Sequence, residues 1–126
     1  MPTFNEEKNL EKVVSNVVGE ASKCADEWEL LIVNDGSSDC TRQIAEEFAG
    51  KDTKIKVITH EENRGYGASL KSGFYNSKYP WIAFIDSDGQ FDFGEIGKFI
   101  EKQKETGADM VIGYYKKRKA PLTKII

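Results

Sequence analysis

Three short groups of polar residues follow apolar runs, and one of them has the spacing of a cation site. Asp86 and Asp88 are two positions apart, so on an extended segment their carboxylates point to the same side. They could share a Mg²⁺ or Mn²⁺ ion, with the Gln90 amide oxygen as a further ligand. Substrate phosphates usually complete the coordination of such an ion. This group therefore favours chemistry on a phosphorylated substrate.

The other two groups are residues 34–39 (NDGSSD) and 63–67 (NRGYG). Taken singly, each of the three groups is more often a turn or a helix cap than a site, because Asp, Asn, Ser and Gly are the commonest turn residues. Asp86 also stands where some phosphotransfer enzymes carry a nucleophilic aspartate. The individual motifs thus leave a structural role, a cation site and a nucleophile open.

The elements that must position these groups are amphipathic helices alternating with short apolar strands. We predict strands at 28–33, 55–58, 81–85 and 110–112, and helices at about 6–20 with Asn5 as cap, at about 40–50, from 65 onward and at about 96–107. This alternation indicates an α/β fold with a mainly parallel sheet. In such sheets ligands bind at the carboxyl ends of the strands, where all three polar groups stand. Residues 1–4 are short for a strand, so we expect either that the chain is a fragment or that its first strand is missing.

Composition and charge exclude several classes of function. The 126 residues include 18 Lys+Arg and 21 Asp+Glu, which fits one globular domain. Five of the positive charges lie in residues 110–126, which contain no acidic residue. This basic tail follows an acidic body, whereas a nucleic-acid-binding domain spreads Lys and Arg over a face. Taken alone, the tail is best explained as a solvated run of charges.

Four motifs in order carry a family resemblance: residues 2–7 (PTFNEE), 32–39 (IVNDGSSD), 63–68 (NRGYGA) and 84–90 (FIDSDGQ). Together they resemble the family-two glycosyltransferases of the GT-A fold, and most closely the polyprenyl-phosphate (dolichyl-phosphate) mannosyl- and glucosyltransferases. The resemblance covers nearly the whole chain. It implies that residues 1–126 form the nucleotide-sugar-binding part of a Rossmann-like GT-A domain.

The resemblance implies roles for the residues on the donor side. Pro2, Phe4 and Glu6 would line the nucleotide pocket. Asp35 would contact the base, although Asn34 replaces the first acidic residue of the family motif.

The motif at 86–90 would hold the metal and the sugar-nucleotide. Asp86, Ser87 and Asp88 would contact the donor, and both carboxylates with Gln90 would bind Mg²⁺ or Mn²⁺. Arg64 would contact the diphosphate.

On the acceptor side, the resemblance implies an inverting transfer from a UDP- or GDP-linked sugar to a lipid phosphate at the cytoplasmic face of a membrane. Arg118 would approach a phosphate there. The catalytic base is expected beyond Ile126. Peripheral contact with the membrane is expected, and no nucleic-acid partner.

Alternatives remain at the level of single residues and of the whole chain. Phe4 could instead pack on the first helix as a hydrophobic staple, and Arg64 could be a solvated loop charge. His60, at the end of a predicted strand, is expected at the surface. The chain could also be a nucleotide-sugar-binding module without turnover, or a phosphotransfer enzyme with Asp86 as its nucleophile.

Overall fold

The computed structural model describes residues 1–113, which divide into two compact units, one formed by Met1–Ile96 and one that begins at Gly97. The first unit combines a parallel sheet with helices. In chain order the elements are β1 (Pro2–Thr3), α1 (Leu10–Cys24), β2 (Leu30–Asp35), α2 (Thr41–Lys51), β3 (Ile55–His60), α3 (Tyr66–Tyr75), a 3₁₀ turn (Phe93–Glu95) and α4 (Ile96–Thr106). The α/β class expected from the sequence is therefore confirmed.

The three strands form a parallel sheet in the order β1-β2-β3. The register places Thr3 beside Asn34, and Asp35 beside His60. Because the strands are parallel, their carboxyl ends lie at one edge of the sheet. The loops that follow β1, β2 and β3 consequently meet there.

The expectation that no first strand is present was wrong. Pro2 and Thr3 form a short strand because their backbone continues the hydrogen bonding of the β2 edge. The Met1 ammonium donates to the Leu31 carbonyl at 2.8 Å, and Val33 N–H donates to the Met1 carbonyl at 2.9 Å. Two residues are sufficient here because β2 supplies a preformed partner.

The first helix begins four residues later than predicted. Asn5 does not cap it, because its φ is +52° and its side-chain oxygen accepts from Ser38 N–H at 2.9 Å. Asn9 occupies the N-cap position of α1 but makes no side-chain cap hydrogen bond. The predicted apolar face is nonetheless buried and forms much of the core, whose members are Met1, Leu10, Val13, Val14, Val17, Leu30, Ile32, Ala45, Ile55 and Ile85.

The predicted strands at 81–85 and 110–112 were also wrong, since neither segment is a strand in the described part of the chain. Trp81 is 54% exposed and Phe84 58%, while Ile85 joins the core. Ser87, just beyond, donates its hydroxyl to the Pro2 carbonyl at 3.0 Å. The segment thus approaches β1, whose two residues offer too short an edge for a five-residue strand to pair with.

The described part of the second unit consists mainly of α4. The helix ends where predicted, at Gly107, which adopts φ +64° and donates its N–H to the Gln103 carbonyl at 2.8 Å. Phe99 lies close to Gly113, where an added Cβ would approach the ring to 2.7 Å. Within residues 1–113, none of the helices has the length and apolar character needed to cross a membrane.

Candidate functional site

A cleft of about 410 Å³ opens at the carboxyl edge of the sheet in the first unit. Four separate segments of the chain contribute to it. Its lining residues are Pro2, Thr3, Phe4, Glu6, Asp35, Asn63, Gly65, Tyr66, Ser69, Asp86, Ser87 and Asp88. Seven of the residues predicted for the donor side are therefore brought together: Pro2, Phe4, Glu6, Asp35, Asp86, Ser87 and Asp88.

The loop after β1 forms one wall of the cleft. Glu6 N–H donates to the Thr41 hydroxyl at 2.8 Å, and Asn5 N–H donates to the Ser37 hydroxyl at 3.0 Å. The loop is therefore fastened both to the start of α2 and to the loop that follows β2. Phe4 is 45% exposed and lines the cleft. This leaves its ring available to a ligand.

Asp35, the last residue of β2, is buried and accepts three hydrogen bonds. Its Oδ1 is 2.6 Å from His60 Nδ1 and 2.9 Å from Arg64 N, and its Oδ2 is 2.8 Å from Gly65 N. Burial alone would raise the pKa of Asp35, but these hydrogen bonds outweigh it and hold the pKa below its ordinary value. Asp35 is therefore an ionised acceptor at neutral pH.

His60 is not the surface residue that was expected. It is 6% exposed and lies between Asp35 and the Ser72 hydroxyl, which is 2.8 Å from Nε2. Since the Asp35 carboxylate can only accept, Nδ1 of His60 carries the shared proton. The pairing follows from the parallel register, which places residue 60 directly beside residue 35 and which no local sequence pattern signals.

The segment 86–88 forms the opposite wall. Ser87 is 4% exposed and tied to β1 through the Pro2 carbonyl. Tyr66 donates its hydroxyl to Asp86 Oδ1 at 2.8 Å. Burial, this hydrogen bond and the charges of Asp86 and Asp88 raise the pKa of Tyr66 to about 12. Tyr66 is therefore a stable donor that fixes one oxygen of Asp86.

The cleft is strongly acidic. Glu6, Asp35, Asp86 and Asp88 line it, and no Lys, Arg or His is among the lining residues that belong to the described part of the chain. Within residues 1–113, no three His, Cys, Asp or Glu residues are grouped closely enough to hold a metal ion by themselves. The described residues thus do not supply a complete set of metal ligands, and a cation bound here would take its remaining ligands from water or substrate.

Three predicted residues are not among those that line the cleft. Arg64 lines a neighbouring depression of about 660 Å³ together with His60, and only its backbone N–H reaches Asp35. Gln90 is exposed, and its N–H donates to Asp88 Oδ1 at 3.0 Å. Arg118 lies outside the described residues. Their functional roles stay predictions.

Several cleft residues received no role from the sequence, although Asn63, Gly65 and Tyr66 belong to a motif that was recognised. Gly65 has φ +89°, a conformation that suits glycine, and turns the chain so that its N–H reaches Asp35. Ser69 is 1% exposed, and its hydroxyl has no hydrogen-bond partner in the described structure. A buried hydroxyl without a partner is costly to the folded state.

Comparison with known proteins gives a consistent picture. Residues 1–125 match the family model described as glycosyl transferase family 2. An uncharacterized protein of Methanocaldococcus jannaschii is 38% identical over 97% of this chain. Dolichyl-phosphate beta-glucosyltransferase of Trichomonas vaginalis is 30% identical over 82% of this chain. Dodecaprenyl-phosphate galacturonate synthase of Rhizobium johnstonii is 28% identical over 94% of this chain. The chain spans 53%, 32% and 36% of these three proteins, respectively.

Solved structures confirm the GT-A type of α/β fold. A crystal structure of S. aureus TarS residues 1–349 superposes with a TM-score of 0.60 at 27% identity, covering 82% of this chain and 31% of that one. The mannosyltransferase PcManGT of Pyrobaculum calidifontis, in complex with GDP-Man and Mn²⁺, superposes with a TM-score of 0.54 at 22% identity. The match covers 61% of this chain and 23% of that one. At that identity the second likeness shows the fold alone.

Proposed function

The chain belongs to glycosyl transferase family 2, and we propose that its cleft binds the nucleotide-sugar and the divalent cation of a sugar-transfer reaction. The observation that carries this proposal is the convergence of residues 2–6, Asp35 and residues 86–88 on one cleft. These segments are far apart in the chain, and the family resemblance assigned donor contacts to all of them. Their meeting at the strand ends supports a common ligand.

The charge of the cleft supports dependence on a cation. A diphosphate carries negative charge, and among the residues that the structure describes the lining holds four carboxylates and no basic side chain. The carboxylates of the cleft would repel the charged diphosphate, so the donor needs a compensating cation. Asp86 and Asp88 supply the hard oxygen ligands that Mg²⁺ and Mn²⁺ prefer, and the diphosphate would supply others. When bound, the ion would neutralise the charge that develops on the leaving diphosphate.

The residues of the chain itself hold the donor in place. Asp35 offers its carboxylate to the base, and the loop from Pro2 to Glu6 encloses the nucleoside. Tyr66 keeps Asp86 oriented through its hydroxyl, and Ser87 keeps the 86–88 segment against β1. Holding a substrate in one geometry lowers the entropic part of the barrier to transfer.

The acceptor side is proposed by analogy with the named relatives. Two of them carry the names of enzymes that transfer sugars to dolichyl or dodecaprenyl phosphate. We propose an inverting transfer to a polyprenyl phosphate at the cytoplasmic face of a membrane, with Arg118 near the acceptor phosphate and the catalytic base beyond Ile126.

Isothermal titration with UDP- and GDP-hexoses, with and without Mn²⁺, tests the donor site. We expect binding that depends on Mn²⁺ and is lost in Asp86→Asn and in Asp88→Asn. Asp26→Asn is the matched control, because Asp26 is exposed and outside the cleft. Equal affinities in all four proteins, or no binding to the unaltered chain, would refute the proposal.

A second candidate is a donor-binding module without turnover, since all the predicted residues that meet in the cleft are ones assigned to the donor. A product assay separates the two candidates. This chain and a longer form of the protein are incubated with labelled nucleotide-sugar and polyprenyl phosphate. Transfer by the longer form alone supports the binding module, and transfer by both supports the enzyme.

A further inference from the structure

Three of the acceptor positions of the Asp35 carboxylate are already taken by the protein. Oδ1 accepts from His60 Nδ1 and Arg64 N, and Oδ2 accepts from Gly65 N. A carboxylate has about four such positions, two on each oxygen. One position remains, and it is on Oδ2.

His60 makes this arrangement rigid. The side chains of Asp35 and His60 are each 5% exposed, so water does not compete for their hydrogen bond. On its other side, Nε2 of His60 is 2.8 Å from the Ser72 hydroxyl, which fixes the ring from α3. The two residues also lie side by side in the register of β2 and β3. Oδ1 of Asp35 is therefore unable to turn towards a ligand.

We infer that His60 is a positioning residue that leaves Asp35 a single acceptor for the base, so that the site selects uracil over guanine. The inference rests on the proposed nucleotide site. Uracil presents one ring N–H between two carbonyl groups, which needs one acceptor. Guanine presents a ring N–H and an adjacent amino group, which together need both carboxylate oxygens. Cytosine has no hydrogen on the corresponding ring nitrogen, so its lone pair faces the carboxylate.

The direct test is titration of this chain with UDP, GDP and CDP in the presence of Mn²⁺. UDP and CDP differ only in the base edge, so they form a matched pair. We expect UDP to bind roughly tenfold or more tightly than GDP or CDP, because each alternative leaves a buried donor or acceptor unsatisfied. GDP binding as tightly as UDP overturns this inference and leaves the proposed function standing. Binding of none of the three refutes both.

Variants of His60 test the positioning role. In His60→Asn the amide nitrogen can take the place of Nδ1, so the preference for UDP over GDP should be retained. In His60→Ala one position on Oδ1 becomes free, and the preference should fall several-fold through tighter GDP binding. If His60 had only a structural role, both variants would bind UDP and GDP more weakly by the same factor. That result would contradict the inference.

A milder variant covers the case in which His60→Ala does not fold. Ser72→Ala removes only the hydrogen bond to Nε2 and leaves the Asp35 contact in place. We expect a smaller loss of the preference for UDP, with the circular dichroism spectrum unchanged. An unchanged UDP to GDP ratio in folded Ser72→Ala and His60→Ala proteins overturns the role of His60.

Discussion

The amino group of Met1 gives the stability of this chain a specific dependence on pH. The group is buried and donates to the Leu31 carbonyl at 2.8 Å. Burial lowers its pKa from 8.0 to about 6, and the charge of Asp86 only partly opposes this shift. The folded state therefore favours the neutral amine. The contribution of the neutral Met1 amine to the free energy of unfolding is fully present above pH 8. It is lost as the pH falls from 8 to 6 and does not return below pH 6.

The magnitude follows from the size of the shift. Two pKa units correspond to about 3 kcal/mol, at about 1.4 kcal/mol for each unit. The perturbation is one added glycine before Met1. The new peptide N–H can keep the hydrogen bond to Leu31 without a charge to bury, while the new amine lies one residue further out.

Urea unfolding of both proteins between pH 5 and 9 gives the comparison, after intact mass has shown that Met1 is retained. All other titrating groups are shared, so the difference between the two free energies of unfolding isolates the amine. We expect the extended protein to be more stable by about 3 kcal/mol at pH 5, and this advantage to shrink towards pH 9. A difference that stays constant across this range would refute the reasoning.

Two further predictions concern a close contact and a hydrogen bond. Gly36→Ala should lower the free energy of unfolding by about 2 kcal/mol or more in urea titrations, because φ is +68° and the new Cβ would be 2.4 Å from the Glu62 carbonyl carbon. Gly50→Ala, at a helical position with open space around it, should instead raise the free energy of unfolding by about 0.5–1 kcal/mol. Equal changes in the two variants would contradict the close contact at Gly36. In Asp86→Asn the pKa of Tyr66, about 12, should fall part of the way towards 10.0, since burial is its larger cause. Spectrophotometric titration against Tyr66→Phe measures this, and an unchanged value would show that Asp86 does not act on the phenol.

Much of the fold and of the cleft could be predicted because the signals are local. The apolar period of residues 10–18 indicates α1, and the run at 30–33 indicates a buried strand. Once the sheet is parallel, residues that follow strands must gather at one edge, which correctly places Asp35 there. Asp86 was placed at the same edge by a predicted strand at 81–85 that the structure does not contain, although the residue does line the cleft.

The remaining features depend on contacts between distant parts of the chain. β1 exists only because β2 offers it an edge, and residues 81–85 fail to pair although their composition is that of a strand. Asn5 has the composition of a helix cap, but its bond to Ser38 holds it in the loop. The burial of His60 follows from the register of two strands, which no local pattern encodes.

The bond from Ser87 to the Pro2 carbonyl has a consequence for the order in which the cleft forms. It joins residues 85 positions apart, whereas the pairs between β2 and β3 join residues 25 apart. Closing the longer loop costs more chain entropy, and contacts of long sequence separation slow folding. On the ribosome, the Asp35 side of the cleft can fold as soon as β3 and α3 have emerged. The 86–88 side must wait for residue 88, so the proposed contact to the base forms before the proposed cation site.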